Sequence, residues 1–186
     1  MTFARLILAA SAMAPLPEAN STALPPKSVV LTTVQHYIDN VLVFYPAFND
    51  VTILSAIENL YYENGQNASA NEHWLLYMVL AIANLCRSQS NDDDFYVAGV
   101  HWAARALVYA DRMLAPGHLS QIQSLILLVQ YAMLDPAHFD CWPLLGFAAR
   151  SIVDIGLHQD APYGQGTEHQ VDLKRKVFYC VYALDR

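Results

Sequence analysis

Apolar residues recur at three- and four-residue steps along most of the chain, the spacing that places them on one face of an α-helix. The first such segment covers about residues 28–45 and ends at Pro46, because proline lacks the backbone donor and clashes with the preceding turn. The same periodicity predicts six further helices. They begin near Asp50, Ser69, Asn91, Ser120, Asp140 and Thr167.

Capping residues support these starting points. Residues 69–72 and 167–170 have Ser or Thr followed three positions later by Glu or Gln, the form of a capping box that satisfies two free amides at a helix start. Asp50 and Asp140 are predicted N-caps. Residues 120–123 (SQIQ) are predicted to begin the fifth helix in the same way.

The fifth helix is predicted to lie at the centre of the molecule. Residues 125–129 (LILLV) leave it almost no polar side, which is typical of a fully buried helix. Strand signals are scarce, since Asn64-Gly65, a dipeptide common in hairpins, closes a helical segment here. The predicted fold class is therefore all-α, a bundle of about six to seven helices in antiparallel pairs.

The first 27 residues differ from the rest. Residues 15–27 (PLPEANSTALPPK) contain four prolines, so we expect a flexible N-terminal lead and Pro-rich linker over 1–27 and one domain over 28–186. Residues 3–14 imitate a secretory signal, with one basic residue and an apolar run. The run is rich in Ala and its charged region is thin, so a secreted helical binding protein is only an alternative. If the chain is secreted, Asn67-Ala68-Ser69 would be a glycosylation sequon.

Composition excludes some classes of protein. The chain is 55% hydrophobic and 15% charged, yet no window reaches the roughly 18 apolar residues of a membrane span, so we expect no membrane association. Ten basic against 17 acidic residues give a net charge of −7. Because DNA is a polyanion, we predict no direct nucleic-acid binding by this chain alone.

Metal and thiol chemistry is not indicated. Cys86, Cys141 and Cys180 are isolated, without CxxC spacing, so we expect buried free thiols rather than a disulfide or a zinc site. The seven histidines are scattered and no HExxH pattern occurs. The pairs His138-x-Asp140 and His158-x-Asp160 each offer two ligands, a spacing that arises often by chance. We therefore predict no catalytic, cofactor-binding or metal-ligating residues, and no cofactor.

One acidic run leaves an enzymatic alternative open. Asp92-Asp93-Asp94 is similar to the magnesium-binding run of an all-α lyase or terpenoid-type enzyme. Such a site needs carboxylates three or four residues apart and a second acidic cluster, and neither is present. We therefore interpret the run as the N-terminal cap of the fourth helix and predict that the chain is not an enzyme.

The last third of the chain carries a specific pattern. It contains Ser120-x-x-Gln123, then WPLLGFAAR from Trp142 to Arg150, then DIGLH to His158, and finally DLKRKVFY and YALDR up to Arg186. This pattern resembles the regulatory (middle homology) domain of fungal binuclear zinc-cluster transcription factors, and the resemblance covers about residues 28–186. The domain usually continues into further helices, so the resemblance also implies that residues 28–186 are incomplete at their C-terminal end.

The resemblance implies a nuclear regulator of transcription, often of metabolic or secondary-metabolite gene clusters. DNA and zinc binding would belong to a zinc-cluster domain that this sequence lacks. The implied partners are other proteins or a second copy, with a small-molecule effector as a further expectation that the aromatic residues support. Most signature residues are expected to be scaffold. We expect Gly146 and Ala149 to admit a neighbouring backbone and Arg150 to pair with Asp154.

Overall fold

A computed structural model describes residues 2–19, 23–65, 67–159 and 167–186, and it confirms the all-α fold class. The helices are α1 (Phe3–Ser11), α2 (Lys27–Tyr37), α3 (Asp50–Tyr61), α4 (Ala70–Leu85), α5 (Asp94–Leu107), α6 (Ala110–Met113), α7 (Leu119–Leu134), α8 (Cys141–Asp154) and α9 (Glu168–Leu184). A π-helical turn, Ile38–Leu42, follows α2, and a 3₁₀ turn, Tyr62–Gly65, follows α3.

Two helices form the centre of the bundle. Every residue of α4 from Trp74 to Leu85 is buried, and α7 is buried from Ser124 to Ala132. Helices with no polar side need neighbours all round. Helices α2, α3 and α5 pack on α4, while α8 and α9 pack on α7, and α4 and α7 pack on each other. The predicted central position of α7 agrees with this arrangement, and α4 shares it.

The predicted caps hold at four helix starts. Ser69 and Thr167 form complete capping boxes with Glu72 and Gln170. Asp140 caps α8 by accepting the Trp142 amide at 2.9 Å. The carboxylate of Asp93 accepts the amides of Tyr96, Gln89 and Ser90, and thereby begins α5 as the acidic run predicts. These hydrogen bonds hold the pKa of Asp93 below its usual value.

Two predicted starts are wrong by one or two residues. The N-cap of α3 is Asn49, and Asp50 instead accepts the amide of Val51 at 2.8 Å. The N-cap of α7 is His118, so Ser120 already lies inside the helix. No side chain caps this start, and the side-chain amide of Gln123 donates to the carbonyl of Ala47 at 2.6 Å.

The N-terminal segment contains a helix that the expected flexible lead does not include. In α1, Ala4, Ile7 and Ser11 are buried against the bundle, and the ring of Phe3 meets that of Phe147 of α8 edge-on, with centroids 5.9 Å apart. The segment after α1 is held by a hydrogen bond from the Met13 amide to the His138 carbonyl at 2.9 Å. The apolar spacing that imitates a secretory signal also makes an amphipathic helix. The domain boundary at residue 27 stays a prediction.

The expectation that Gly146 admits a neighbouring backbone is wrong. A Cβ added to Gly146 would meet nothing within 4 Å, so no neighbouring backbone approaches α8 there. The close approach occurs at Gly99, where an added Cβ would lie 2.9 Å from Cγ of Leu85 and 3.1 Å from the carbonyl oxygen of Ala81. Helix α5 lies close to α4 because residue 99 has no side chain.

Candidate functional site

A groove of about 570 Å³ runs between α9 and the segment that follows the π-helical turn. We call it the α9 groove. Phe44 lines one wall, while Tyr179 and Tyr182 of α9 line the other. These three rings are 72%, 64% and 47% exposed. Large aromatic side chains contribute strongly to protein interfaces, so a row of exposed rings indicates a contact surface.

The charges along the α9 groove have both signs. Asp172 and Lys176 form an ion pair at 2.8 Å one helical turn apart, and both side chains are exposed. The guanidinium of Arg186 lies 4.8 Å from the centre of the Tyr182 ring. Cys180 is buried at the base of the groove, and burial raises the pKa of its thiol to about 12. The thiol therefore stays protonated near neutral pH and is a poor nucleophile.

A second, smaller space of about 140 Å³ lies where the π-helical turn meets the C-terminal ends of α4 and α7. We call it the Gln130 cleft. Gln130 lines it and is 4% exposed; its Oε1 accepts the hydroxyl of Tyr37 at 3.1 Å. Its Nε2 has no hydrogen-bond partner among the described residues. Tyr37 is fully buried, and burial raises the pKa of its phenol.

Acidic and imidazole groups also meet at one buried position. Asp135, which is 2% exposed, accepts the hydroxyls of Tyr131 at 2.7 Å and Tyr96 at 3.1 Å. The Nδ1 of His138 lies 2.6 Å from the same carboxylate. Burial, and after it the hydrogen bond to Asp135, raises the pKa of Tyr131. Asp135 lines neither the α9 groove nor the Gln130 cleft. We therefore interpret the cluster as a buried clamp that joins α5, α7 and the loop before α8.

The two residues of the first His-x-Asp pair have separate roles, and one residue of the second pair lies outside the described part of the chain. His138 faces Asp135, whereas Asp140 caps α8. Asp160, the partner considered for His158, lies outside the described residues. Over the described ranges, no three His, Cys, Asp or Glu side chains are grouped to hold a metal ion.

The three tryptophans have different surroundings. Trp74 is part of the core at 1% exposed, and Trp102 packs beneath the guanidinium of Arg105 at 4.6 Å. Trp142, a signature residue expected to be scaffold, is 76% exposed. Trp142 lies in the first turn of α8 and outside the bundle. Packing therefore does not explain why a tryptophan begins the WPLLGFAAR pattern.

The fold and its surfaces define a class of protein: a helical domain with an exposed aromatic groove and a small internal cleft. The sequence identifies the family. The chain matches the fungal specific transcription factor domain over residues 34–186, and it belongs to that family. The resemblance in the last third of the sequence is confirmed.

Relatives of known name fit this assignment. The chain is 26% identical over 164 residues to an uncharacterized transcriptional regulatory protein of Schizosaccharomyces pombe. The aligned residues are 87% of this chain and 27% of that protein. It is 26% identical to a probable transcription factor of Fusarium proliferatum (77% of this chain, 22% of that protein). It is 24% identical to an ABC-transporter-regulating transcription factor of Aspergillus oryzae (88% of this chain, 18% of that protein). The chain thus spans about a quarter or less of these relatives.

No solved structure matches the chain. None of the described helices combines the length and apolar character needed to cross a membrane.

Proposed function

We propose that this chain is the regulatory domain of a fungal transcription regulator of the zinc-cluster type and acts in the nucleus. The family match over residues 34–186 carries this proposal. The net charge of −7 supports a domain that contacts proteins rather than DNA. Zinc and DNA binding are assigned, by family resemblance, to a zinc cluster outside the matched residues. Control of metabolic or secondary-metabolite genes is proposed on the same basis.

We also propose that the chain has no catalytic role. The acidic run that motivated the enzymatic alternative is engaged in local hydrogen bonds, with Asp93 accepting three backbone amides. The carboxylate of Asp135 is engaged by two tyrosines and a histidine. Asp93 is thus used as a helix cap, and the buried Asp135 is held by three side chains, which supports a structural role for both carboxylates.

The α9 groove is the proposed contact surface, and its proposed occupant is a second copy of this chain. Asp172 and Tyr179 are seven residues apart and share one face of α9, and Arg186 lies two residues beyond the end of that helix. If two α9 helices pack antiparallel about Tyr179, Asp172 of one copy lies near the C-terminal end of the other copy's α9, where Arg186 follows. Opposite charges flank the aromatic centre twice, as a two-fold interface requires.

A reporter assay tests the function. The chain is fused to an unrelated DNA-binding domain in fungal cells, and transcription from a reporter with that domain's binding site is measured. We expect transcription to differ several-fold from that given by the DNA-binding domain alone. Equal transcription from the two would count against a regulatory role.

Sedimentation velocity over a range of concentrations tests the occupant. We expect a monomer–dimer equilibrium that Tyr179→Ser shifts to monomer, because the ring lies at the proposed centre. The exposed apolar residue Val153 lies outside the groove, and Val153→Ser is the matched control. A chain that stays monomeric at all concentrations would assign the groove to a different protein.

A further inference from the structure

We propose that Ser90, in the loop between α4 and α5, is a phosphorylation site for an acidophilic serine kinase. In the reaction the Ser90 Oγ attacks the γ-phosphorus of ATP, its proton passes to the general base of the kinase, and ADP leaves. The proposal does not rest on the proposed regulatory function. It depends on the exposure of the hydroxyl outside the helices, on the carboxylates that follow it, and on a contrast with other serines of the chain.

The loop between α4 and α5 presents Ser90 to solvent. Gln89, Ser90 and Asn91 are exposed and belong to no helix. A kinase that binds a serine inside a helix must first break the hydrogen bonds of that helix, whereas a surface loop opens at low cost. The backbone around Ser90 therefore suits a modifying enzyme.

The residues after Ser90 supply the recognition pattern. Asp92, Asp93 and Asp94 lie two, three and four positions after it. Kinases select substrates partly by charge patterns, and an acidophilic kinase places basic side chains opposite carboxylates that follow the serine. Asp92 and Asp94 are exposed, so both are available for this contact while Asp93 caps α5.

Three other serines have a carboxylate three positions later, but their surroundings differ. Ser55 is exposed within α3, and Ser151 is buried within α8. Ser69 is the N-cap of α4, and its hydroxyl lies 2.7 Å from a carboxylate oxygen of Glu72. Each of these serines is followed by one carboxylate within four positions, whereas Ser90 is followed by three. The structure and the charge pattern therefore favour the same serine.

A phosphate on Ser90 would disturb the start of α5. The Ser90 hydroxyl donates to Asp92 at 2.5 Å, and the Ser90 amide donates to Asp93 at 3.3 Å. Phosphorylation removes the hydroxyl donor and adds a charge of about −2 beside both carboxylates, so repulsion replaces the hydrogen bond. Asp93 also accepts the Tyr96 amide, and the Tyr96 hydroxyl bonds the buried Asp135. The modification would therefore loosen a helix start that is connected to the buried clamp.

Incubation of the folded chain with casein kinase 2, ATP and Mg²⁺ tests the site. Tandem mass spectrometry of its proteolytic peptides is expected to place a phosphate on Ser90, a gain of about 80 Da, and none on Ser55. Ser90→Ala should lose this phosphate. The matched control Ser88→Ala, in the same loop, should keep it on Ser90. An unmodified Ser90, or a Ser55 that reacts at the same rate, would overturn the proposal.

Charge substitutions test the recognition. Asp92→Asn/Asp94→Asn should slow the phosphorylation of Ser90 about tenfold, because the kinase loses two of the carboxylates that it contacts. Glu18→Gln/Glu168→Gln also removes two exposed carboxylates but leaves the loop unchanged, so this control should react at the rate of the intact chain. Equal rates for the two double variants would show that the acidic run does not direct the kinase, which would overturn the proposal.

Hydrogen exchange of the phosphorylated chain tests the effect on α5. We expect the Tyr96 amide to exchange about fivefold faster than in the unmodified chain, the size of effect that a lost helix cap produces. Amides in the buried part of α4 should exchange at their original rate. A Tyr96 amide that exchanges at the same rate or more slowly after phosphorylation would refute the proposed weakening of the cap.

Discussion

At the scale of single residues, two helical glycines have opposite surroundings. Gly99 of α5 lies against Leu85 and the backbone of α4, whereas Gly146 of α8 faces open space. The sequence shows only that each interrupts a helical pattern. Which glycine is required depends on what packs against it, and that information lies in another helix, so the prediction for Gly146 was wrong and Gly99 was missed.

Alanine at these two positions is expected to shift stability in opposite directions. Gly146→Ala should raise the free energy of unfolding by up to about 1 kcal/mol, because alanine is the better helix former and its Cβ meets nothing. Gly99→Ala should lower it by about 1–2 kcal/mol, because overpacking against α4 exceeds the helix-propensity gain. Urea unfolding measures both, and a stabilised Gly99→Ala variant would contradict the packing described here.

The Asp135 cluster could not be predicted from the sequence. Tyr96 is 39 residues from Asp135, and only the folded chain brings the two groups together. Asp135→Asn is expected to lower the free energy of unfolding by about 2–4 kcal/mol, because it removes a buried charge that three donors surround. Chemical unfolding with urea measures the loss, and a change below about 0.5 kcal/mol, the usual range at exposed sites, would show that the clamp contributes little.

Buried thiol and phenol groups predict a dependence of stability on pH. Cys180 has a pKa raised from 9.0 to about 12, and Tyr37 and Tyr131 are raised above 10.0. The folded state therefore keeps protons that the unfolded state releases, so the contribution of these groups to stability is constant below pH 9 and falls as the pH rises above it. Urea midpoints from pH 7 to 11 measure this. Burial raises the pKa of Cys86 as well, so Cys86→Ala/Cys180→Ala should move the onset towards pH 10, and an unchanged onset would exclude the thiols as its cause.

At the scale of helices, the predicted starts that a side chain caps were placed correctly, whereas the starts of α3 and α7, which no side chain caps, were displaced by one or two residues. The capping boxes at Ser69 and Thr167 need only residues three positions apart. The start of α7 differs because no side chain caps it, and the Gln123 amide instead bonds the Ala47 carbonyl, 76 residues away. The π-helical turn after α2 has no local signal of this kind in the sequence.

Two serine substitutions separate a real cap from an apparent one. Ser69→Ala should lower the free energy of unfolding by about 1 kcal/mol, because the Glu72 amide loses its acceptor. Ser120→Ala should leave it within about 0.5 kcal/mol, since Ser120 lies inside α7 and does not cap it. Thermal unfolding followed by circular dichroism compares the pair, and equal losses would contradict the described start of α7.

At the scale of the whole molecule, the apolar periodicity was sufficient for the fold class and the central helix, because burial is what that periodicity records. It did not locate either candidate site. The α9 groove exists because Phe44 and Tyr179, 135 positions apart in the sequence, both face outward at one edge of the bundle. The Gln130 cleft forms where the π-helical turn meets the C-terminal ends of α4 and α7, and no local pattern in the sequence marks that meeting.

The central claim is that this bundle regulates transcription through the exposed rings of the α9 groove. The most direct measurement is reporter transcription from the fusion to an unrelated DNA-binding domain, compared with a Tyr179→Ser/Tyr182→Ser fusion and a Val153→Ser fusion at equal protein levels. We predict that the intact and Val153→Ser fusions change transcription alike, while the double variant falls back to the level of the DNA-binding domain alone. Full activity of the double variant, or no effect of the intact fusion, would contradict the claim.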